Sequence, residues 1–270
     1  MRFPVFDIRP LTPTIGAEVH GLDLNLDLDA SGHAALSEVL HEHQVLFFRD
    51  QRITAHRQRE VAARFGALQR FPFGEPAAPD LPEVMVLATG GDGPKVSNAD
   101  IWHSDATFMA RPPLGTMLRA VSLPPLGGDT LWADMESAYR SLSAPIRALL
   151  DGLTAEHDFA KSRSHRGGDR DALPPVVHPV VRTHPLTGRR CLYVNRIFTT
   201  RIVELGEREN ELLLPFLFDR AARPEFQVRL TWRPGDVALW DNRSTQHYAA
   251  YDYRGPRVMH RIVIEGDEPR

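Results

Sequence analysis

The sequence predicts a mainly β protein with a barrel or sandwich core and added helices. Short apolar or alternating runs recur through the second half of the chain, and turns such as Pro185–Gly188 and Arg233–Asp236 separate them. Segments with apolar residues at helical spacing lie before and between these runs. The 270 residues contain no internal repeat or low-complexity linker, so we expect a single domain over residues 1–270.

Helical segments are predicted where capping residues precede apolar residues at helical spacing. Asp29 or Ser31 is suited to cap the first helix. The second helix is expected to begin near Thr54 and to stop at Gly66, because glycine commonly ends helices. Residues 136–151 predict one or two helices, and residues 207–220 predict another.

The predicted strands are short and bounded by glycine, proline or polar turns. Residues 3–23 are expected to form short strands interrupted by prolines and glycines, and residues 70–100 are expected to be mostly a long loop. The remaining predicted strands are residues 45–48, 83–87, 101–108, 114–122, 176–181, 191–194, 226–232, 237–240 and 257–264.

Composition narrows the classes of function. A net charge of −3 argues against a nucleic-acid partner, because phosphate binding needs a concentrated basic surface. No run of 18 apolar residues is present, so we expect no membrane span. A single cysteine, Cys191, excludes an intramolecular disulfide and a cysteine-based zinc site. The N-terminus lacks a signal-peptide pattern, and we expect a cytoplasmic protein.

The pair His103 and Asp105 is the strongest candidate for metal binding. Among 12 histidines, only His103 stands in a His-x-Asp or His-x-Glu pattern. On a strand, residues i and i+2 share a face, so both side chains could bind one ion. Two histidines and one carboxylate leave open positions on iron, and His247 is our candidate for the third ligand. Taken alone, each of these residues is more often a chance surface or structural residue.

Arg257 and Arg261 strengthen the case for His247 as a ligand. They stand at i and i+4 on the last predicted strand, on the face opposite His260. A guanidinium facing the inside of a barrel needs an anion, because a buried unpaired charge is costly. Arginine binds carboxylates with two parallel hydrogen bonds. The alternative is a pair of surface arginines near the end of the sequence.

Four segments closely resemble motifs of the taurine dioxygenase (TauD/TfdA) family. They are Trp102–Phe108, Gly127–Trp132, Trp240–Tyr248 and Val258–Arg261. Flanking stretches match in the same order, so the resemblance covers nearly the whole chain. It implies a double-stranded β-helix, the jelly-roll core of cupin-like folds. It also implies an oxidoreductase that uses Fe(II), 2-oxoglutarate and O2 and releases succinate and CO2.

The resemblance assigns roles to particular residues of this chain. His103, Asp105 and His247 would bind the iron. Thr130 would hydrogen-bond 2-oxoglutarate, and Arg257 would bind its far carboxylate. Arg261 would help with that carboxylate or bind the head of an anionic substrate.

The substrate is less clearly implied, because the chain departs from the taurine enzymes of the family. Those enzymes carry a histidine and a tyrosine where this chain has Phe71 and Gly74. An asparagine that contacts the taurine amine falls at Ala99, and the adjacent Asn98 is the candidate replacement. A site that loses polar contacts discriminates against the ligand that needed them.

This chain keeps some of the apolar residues that line the substrate pocket in the taurine enzymes. Ala106 and Phe198 match the family, whereas Arg163 stands where taurine enzymes have an aromatic residue. We therefore expect a small anionic substrate larger or less polar than taurine, such as another sulfonate, an alkyl sulfate or a carboxylate. Taurine itself stays possible.

Two other classes of function compete with the oxygenase interpretation. One is a metal-binding jelly roll without oxygenase activity, which would not need Thr130, Arg257 or Arg261. The other is a structural protein without metal, which gives no reason for a His-x-Asp pair, a late histidine and two arginines. Members of the family often associate, so we also expect a homo-oligomer, either a dimer or a tetramer.

Overall fold

The described part of the chain forms short strands with five α-helices among them. A computed structural model describes residues 6–70, 75–89, 99–162 and 173–270. The helices are α1 (Ala30–His43), α2 (Ala55–Ala63), α3 (Met135–Arg140), α4 (Ala144–Leu150) and α5 (Glu207–Phe218). The strands are β1 (Asp7–Pro10), β2 (Ala17–His20), β3 (Val45–Phe48), β4 (Leu68–Gln69), β5 (Glu75–Pro76), β6 (Met85–Thr89), β7 (Gly115–Ser122), β8 (Thr130–Asp134), β9 (Thr154–His157), β10 (Val176–Pro179), β11 (Val181–Thr183), β12 (Arg190–Leu192), β13 (Thr199–Ile202), β14 (Gln227–Leu230), β15 (Val237–Asp241), β16 (Thr245–Ala249) and β17 (Arg257–Ile264).

Two sheets carry the core. The larger sheet has the order β1-β2-β3-β15-β7-β17-β6-β5, with β4 also paired to β17. Its strand pairs are antiparallel except β2 with β3. The smaller sheet has the order β14-β8-β16. Non-consecutive neighbours in both sheets bring together residues that are far apart in the sequence.

Alternation along the strands explains why the sheets face each other. Trp240 of β15 and Leu118 of β7 point to one side of the larger sheet and pack in one cluster with Trp132 of β8. The neighbouring residues Leu239 and Met117 point to the other side and pack against α1 and α2. The larger sheet is therefore buried on both faces, and the predicted jelly-roll core with added helices is confirmed.

A third apolar cluster lies under α3, α4 and α5. It includes Ala138, Leu150 and Leu217 from these helices and Leu192 from β12. None of the helices in the described part of the chain has the length and apolar character needed to cross a membrane.

The first two helices begin where the sequence predicts. The Asp29 side chain accepts a hydrogen bond from the Gly32 amide, and Thr54 caps α2 in the same way. The expected stop at Gly66 is wrong, because α2 ends at Ala63. The next two residues continue in a tighter turn, in which the Phe65 amide donates to the Ala62 carbonyl at 3.0 Å.

The predicted strand over residues 101–108 is also wrong. Only His103 pairs in a β-bridge, with His247, and residues 105–108 form turns. Ala106 has a φ of 49°, a left-handed conformation that ends an extended segment. His103 and Asp105 therefore do not share a face by strand alternation.

Gly115 lies where β7 runs between β15 and β17. A Cβ at this position would lie 2.7 Å from the Trp240 backbone oxygen, which the ladder fixes in place. We predict that Gly115→Ala lowers the free energy of unfolding by about 1–3 kcal/mol, because the strands must separate to admit the methyl group. Urea denaturation measures this loss. An unchanged midpoint would show that the sheet accommodates the methyl group.

Candidate metal centre and anion pocket

The three predicted ligands converge at one end of the jelly roll. One ligand atom from each of His103, Asp105 and His247 lies within 4.8 Å of the others, and all three residues are buried. Asp105 Oδ1 lies 3.9 Å from His103 Nε2 and 3.8 Å from His247 Nε2. Two imidazoles and one carboxylate on one side of a metal are the ligand set of non-heme iron oxygenases. The chemistry of this donor set therefore fits iron(II).

A pair of backbone hydrogen bonds holds the two histidines side by side. The His247 amide donates to the His103 carbonyl at 2.7 Å, and the His103 amide donates in return at 3.1 Å. The imidazole ring centroids are 4.1 Å apart. The hairpin of β15 and β16 thus places His247 against a segment from the first half of the chain.

His103 has a defined tautomer. Its Nδ1 lies 2.7 Å from the Ile101 carbonyl oxygen, which only accepts, so Nδ1 carries the proton. The lone pair of Nε2 then faces Asp105 Oδ1. A histidine held in this way by a carbonyl is a common metal ligand.

Burial keeps both imidazoles neutral. Burial lowers the pKa of His103. Burial and the neighbouring His103 lower the pKa of His247 to about 3. Neutral imidazoles are the form that binds metals.

Asp105 stays ionised despite its burial. Burial alone would raise the pKa of Asp105, but the guanidinium of Arg261 and the hydrogen bond from Thr116 hold it well below the usual range. Arg261 Nη2 lies 2.7 Å from Asp105 Oδ1. The Thr116 hydroxyl donates to the other carboxylate oxygen, Oδ2, at 2.9 Å. The carboxylate is therefore a charged ligand with two fixed neighbours.

Arg257 lies on the same face of β17 as Arg261, and it has no anionic partner among the described residues. It is 7% exposed, and among the described residues its Nε and Nη2 atoms have no hydrogen-bond partner. The nearby carboxylate of Asp129 pairs with Arg229 at 2.6 Å instead. Burial lowers the pKa of Arg257. A buried guanidinium in this state is stabilised by a bound anion.

Glycine lets the backbone close over Arg257. Gly128 has a φ of 76°, and a Cβ there would lie 3.1 Å from Arg257 Nε. On the other side, the Tyr253 ring centroid lies 5.9 Å from the guanidinium. The side chain is thus enclosed by the Gly127–Gly128 turn and an aromatic ring.

Thr130 lies two residues beyond this turn and is buried. Its hydroxyl oxygen accepts a hydrogen bond from Trp232 Nε1 at 2.9 Å. The hydroxyl proton then points elsewhere, because a hydroxyl that accepts retains its own donor. Thr130 is equipped to donate to a bound carboxylate.

An apolar wall adjoins the metal ligands. Ala106 and Phe198 belong to one cluster with Phe108, and Phe159 packs against it. Phe108 lies 4.7 Å from Phe159 and 5.0 Å from Phe198, measured between ring centroids. Ala106 and Phe198, the two predicted apolar positions, therefore lie in one cluster, which Ala106 joins to Asp105 along the chain. Phe71, Gly74, Asn98 and Arg163 lie outside the described residues, so their predicted roles in substrate binding stay predictions.

A buried charged group supports the hairpin that carries His247. Asp241 binds Arg243 at 2.6 Å and His184 at 3.0 Å. Burial would raise the pKa of Asp241, but Arg243 and His184 hold it far below the usual range. This group lies at the end of β15, next to the turn into β16, so it fixes the path of the chain toward His247.

The fold and this arrangement match proteins of known families. The family model described as "Taurine catabolism dioxygenase TauD, TfdA family" matches residues 7–263. The chain belongs to the TauD/TfdA family. The predicted resemblance and the predicted dioxygenase class are thereby confirmed.

Individual relatives cover nearly the whole chain. An alpha-ketoglutarate-dependent sulfate ester dioxygenase from Pseudomonas putida is 36% identical over 97% of this chain and 90% of its own length. A taurine dioxygenase structure from Burkholderia xenovorans is 39% identical, with a TM-score of 0.87 over 98% of this chain and 91% of that one. The structure of AAD-2 in complex with Mn(II) and N-oxalylglycine is 29% identical, with a TM-score of 0.85 over 98% of both chains.

Sequence reasoning missed several residues that shape the site. Thr116 lies in a predicted strand, but no motif marks its contact with Asp105. Asn242 lies inside the Trp240–Tyr248 motif, yet its sequence position does not reveal that it bonds the Asp105 backbone at 2.6 Å. Gly128 lies inside the Gly127–Trp132 motif, but its approach to Arg257 appears only in three dimensions.

Glu136, which lies near the charged group of Asp241, Arg243 and His184, makes the stability of the protein depend on pH. Burial raises the pKa of Glu136 to about 7, although Arg189 lies 3.1 Å away and opposes the shift. Between pH 4.5 and 7 the folded protein therefore binds more protons than the unfolded chain. Stability from this group is present at low pH and is lost as pH rises through about 7.

We predict that Glu136→Gln makes the protein more stable at pH 8 by about 1–3 kcal/mol, with little effect at pH 5. The amide keeps an oxygen for Arg189 but carries no buried charge. Urea unfolding of both proteins at the two pH values measures the difference. Glu225→Gln is the control, because Glu225 is an exposed acid. An equal gain at both pH values would contradict a raised pKa.

Proposed function

We propose that this protein is an Fe(II)- and α-ketoglutarate-dependent dioxygenase that oxidises a small monoanionic substrate, with alkyl sulfate esters as the best candidates. α-Ketoglutarate is 2-oxoglutarate. The observation that carries the proposal is the buried Arg257, without an anionic partner among the described residues, on the same strand face as Arg261 beside the triad. A metal-binding jelly roll without oxygenase activity gives no reason for that guanidinium.

His103, Asp105 and His247 would hold the iron. Bound iron(II) would supply the chemistry that activates O2, coupled to conversion of α-ketoglutarate into succinate and CO2. The protein contributes two neutral imidazoles, one of which has its tautomer set by Ile101, and a carboxylate held by Thr116. The Mn(II) complex of the related AAD-2 supports a divalent metal in this fold.

Arg257 and Thr130 would bind α-ketoglutarate. The guanidinium would pair with the far carboxylate through two hydrogen bonds, and its burial strengthens that pairing. The Thr130 hydroxyl would donate a further hydrogen bond. Gly128 and Tyr253 hold the arginine in place, so little side-chain freedom is lost on binding.

Formal charges favour a substrate with one negative charge. Asp105 contributes −1, Arg257 and Arg261 contribute +2, and a divalent metal contributes +2, which totals +3. Dianionic α-ketoglutarate balances two of these charges. A sulfate monoester balances the third, whereas zwitterionic taurine leaves it unbalanced, and unbalanced buried charge is unfavourable.

The apolar wall gives the other half of substrate recognition. Phe108, Phe159 and Phe198 offer a surface for an alkyl or aryl group next to Asp105. Arg261, which lies against Asp105, would bind the sulfate group. Hydroxylation of the carbon that carries the sulfate oxygen gives a product that collapses to an aldehyde and inorganic sulfate. The related sulfate ester dioxygenase supports this substrate class.

Several broader expectations stay predictions. We propose one domain over residues 1–270 in a cytoplasmic protein that associates as a homo-oligomer, a dimer or a tetramer. The burial of Cys191, the single cysteine, is compatible with a reducing compartment.

Comparison of three ligands tests the substrate class. We predict that hexyl sulfate and hexanesulfonate give a kcat/KM at least ~100-fold above that of taurine, because they match the charge and the apolar wall. Succinate formation measures turnover, and release of sulfate in a 1:1 ratio to succinate identifies hydroxylation at the ester carbon. A taurine kcat/KM equal to that of hexyl sulfate would contradict the charge argument. No succinate with any anion would contradict the proposed function.

The role of Arg257 is tested by a substitution that keeps its charge. We predict that Arg257→Lys raises the KM for α-ketoglutarate by about 10–100-fold, because lysine cannot form the paired hydrogen bonds. Arg261→Lys is the matched variant and should mainly raise the KM for the sulfate ester. Steady-state kinetics with each ligand varied in turn separates the two. The same KM change for both ligands in both variants would contradict distinct roles.

A further inference from the structure

Asp105 lies at a point where the chain leaves regular pairing. The preceding ligand, His103, exchanges two backbone hydrogen bonds with His247. Residues 105–108 are turns, and Ala106 is left-handed with a φ of 49°. The backbone N–H and C=O of Asp105 therefore have no strand partner. A buried peptide group without a partner would be unfavourable and would leave the carboxylate poorly placed.

The side chain of Asn242 takes the place of that strand partner. Its Oδ1 accepts from the Asp105 amide at 2.6 Å, and its Nδ2 donates to the Asp105 carbonyl at 3.0 Å. The same Nδ2 donates to the Pro113 carbonyl at 3.1 Å. Asn242 is fully buried and lies in the turn between β15 and β16. One side chain thus ties the segment of Asp105 to the hairpin that carries His247.

Thr116 fixes the rotation of the carboxylate itself. Its hydroxyl donates to Asp105 Oδ2 at 2.9 Å. The other oxygen, Oδ1, faces both histidine Nε2 atoms, at 3.9 and 3.8 Å, and also lies 2.7 Å from Arg261 Nη2. Thr116 is fully buried on β7, whose register with β15 and β17 holds it in place.

We infer that Asn242 and Thr116 are positioning residues for the metal centre: Asn242 sets the backbone position of Asp105, and Thr116 selects Oδ1 as the oxygen offered to the metal. This inference rests on the proposed function of the triad. Both residues contact Asp105 and are not among the three proposed ligands. Both restrict the orientation of the Asp105 carboxylate in the metal-free protein, as the hydrogen-bond partners of metal ligands do in other sites.

Titration with Mn(II) tests the inference without any need for turnover. The electron paramagnetic resonance signal of free Mn(II) reports how much metal the protein binds. Thr116→Val has nearly the same shape but no hydroxyl, and we expect it to bind Mn(II) about 10–100-fold more weakly. Thr116→Ser keeps the hydroxyl and should restore the wild-type affinity.

Thr199→Val is the matched control for loss of a buried hydroxyl. Thr199 is also fully buried, and its hydroxyl accepts a hydrogen bond from the Asn195 amide at 2.9 Å instead of bonding Asp105. We expect this variant to lose stability in urea but to bind Mn(II) as the wild type does. Equal weakening by Thr116→Val and Thr199→Val would mean a general loss of structure and would overturn the inference.

Asn242→Asp tests the backbone contact separately. The substitution keeps one acceptor oxygen but places the second against the carbonyls of Asp105 and Pro113. We expect weaker Mn(II) binding than in the wild type. If both Thr116→Val and Asn242→Asp bound Mn(II) as tightly as the wild type, the inference would be overturned, but the proposed metal centre would not. Failure of the wild-type protein to bind Mn(II) would instead overturn the metal centre and the inference with it.

Discussion

The site depends on the pairing of His103 with His247 through two backbone hydrogen bonds. This bridge joins a loop from the first half of the chain to the last hairpin of the jelly roll. Without these two hydrogen bonds, the distance between the two imidazoles would not be fixed, because no continuous strand links their segments. The tryptophan-rich core between the two sheets holds the hairpin of β15 and β16 in place. The bridge then fixes the loop of His103 against this hairpin.

Charged side chains lie near this bridge. Asp105 is the carboxylate of the triad, and Arg261 lies against it. Arg257 is buried further along β17 without a carboxylate of its own among the described residues. Asp105 contributes one negative charge and the two arginines contribute two positive charges, so bound anions and a divalent metal would complete the charge balance in the proposed function. In the proposed function, binding of anions and binding of a divalent metal therefore depend on the same charged residues.

Much of this could be predicted from the sequence, because the strongest signals are local. Asp29 and Thr54 cap helices, and apolar alternation identified most strands of the larger sheet. The strand β16 was missed because Thr245, Gln246 and His247 are buried polar residues without an apolar pattern. The turn after His103 was missed because alanine gives no local sign of a left-handed conformation. In both places, tertiary hydrogen bonds override the local preference.

For the site residues too, some features could be predicted from sequence motifs and others depend on tertiary contacts. Motif resemblance predicted roles for His103, Asp105, His247, Thr130 and both arginines, and the structure brings the three predicted ligands together. The contacts of Thr116 and Asn242 with Asp105 join segments that are remote in sequence, so neither spacing nor periodicity reveals them. Such contacts follow from strand register, which a single sequence specifies only weakly.

Anaerobic visible spectroscopy of the protein with iron(II) and α-ketoglutarate tests the central claim most directly. Chelation of iron by α-ketoglutarate gives a weak band near the middle of the visible range. We predict this band in the wild-type protein and its loss in Asp105→Ala, with a shift of the band on addition of hexyl sulfate. Bound iron without the band would contradict an α-ketoglutarate-dependent centre at His103, Asp105 and His247.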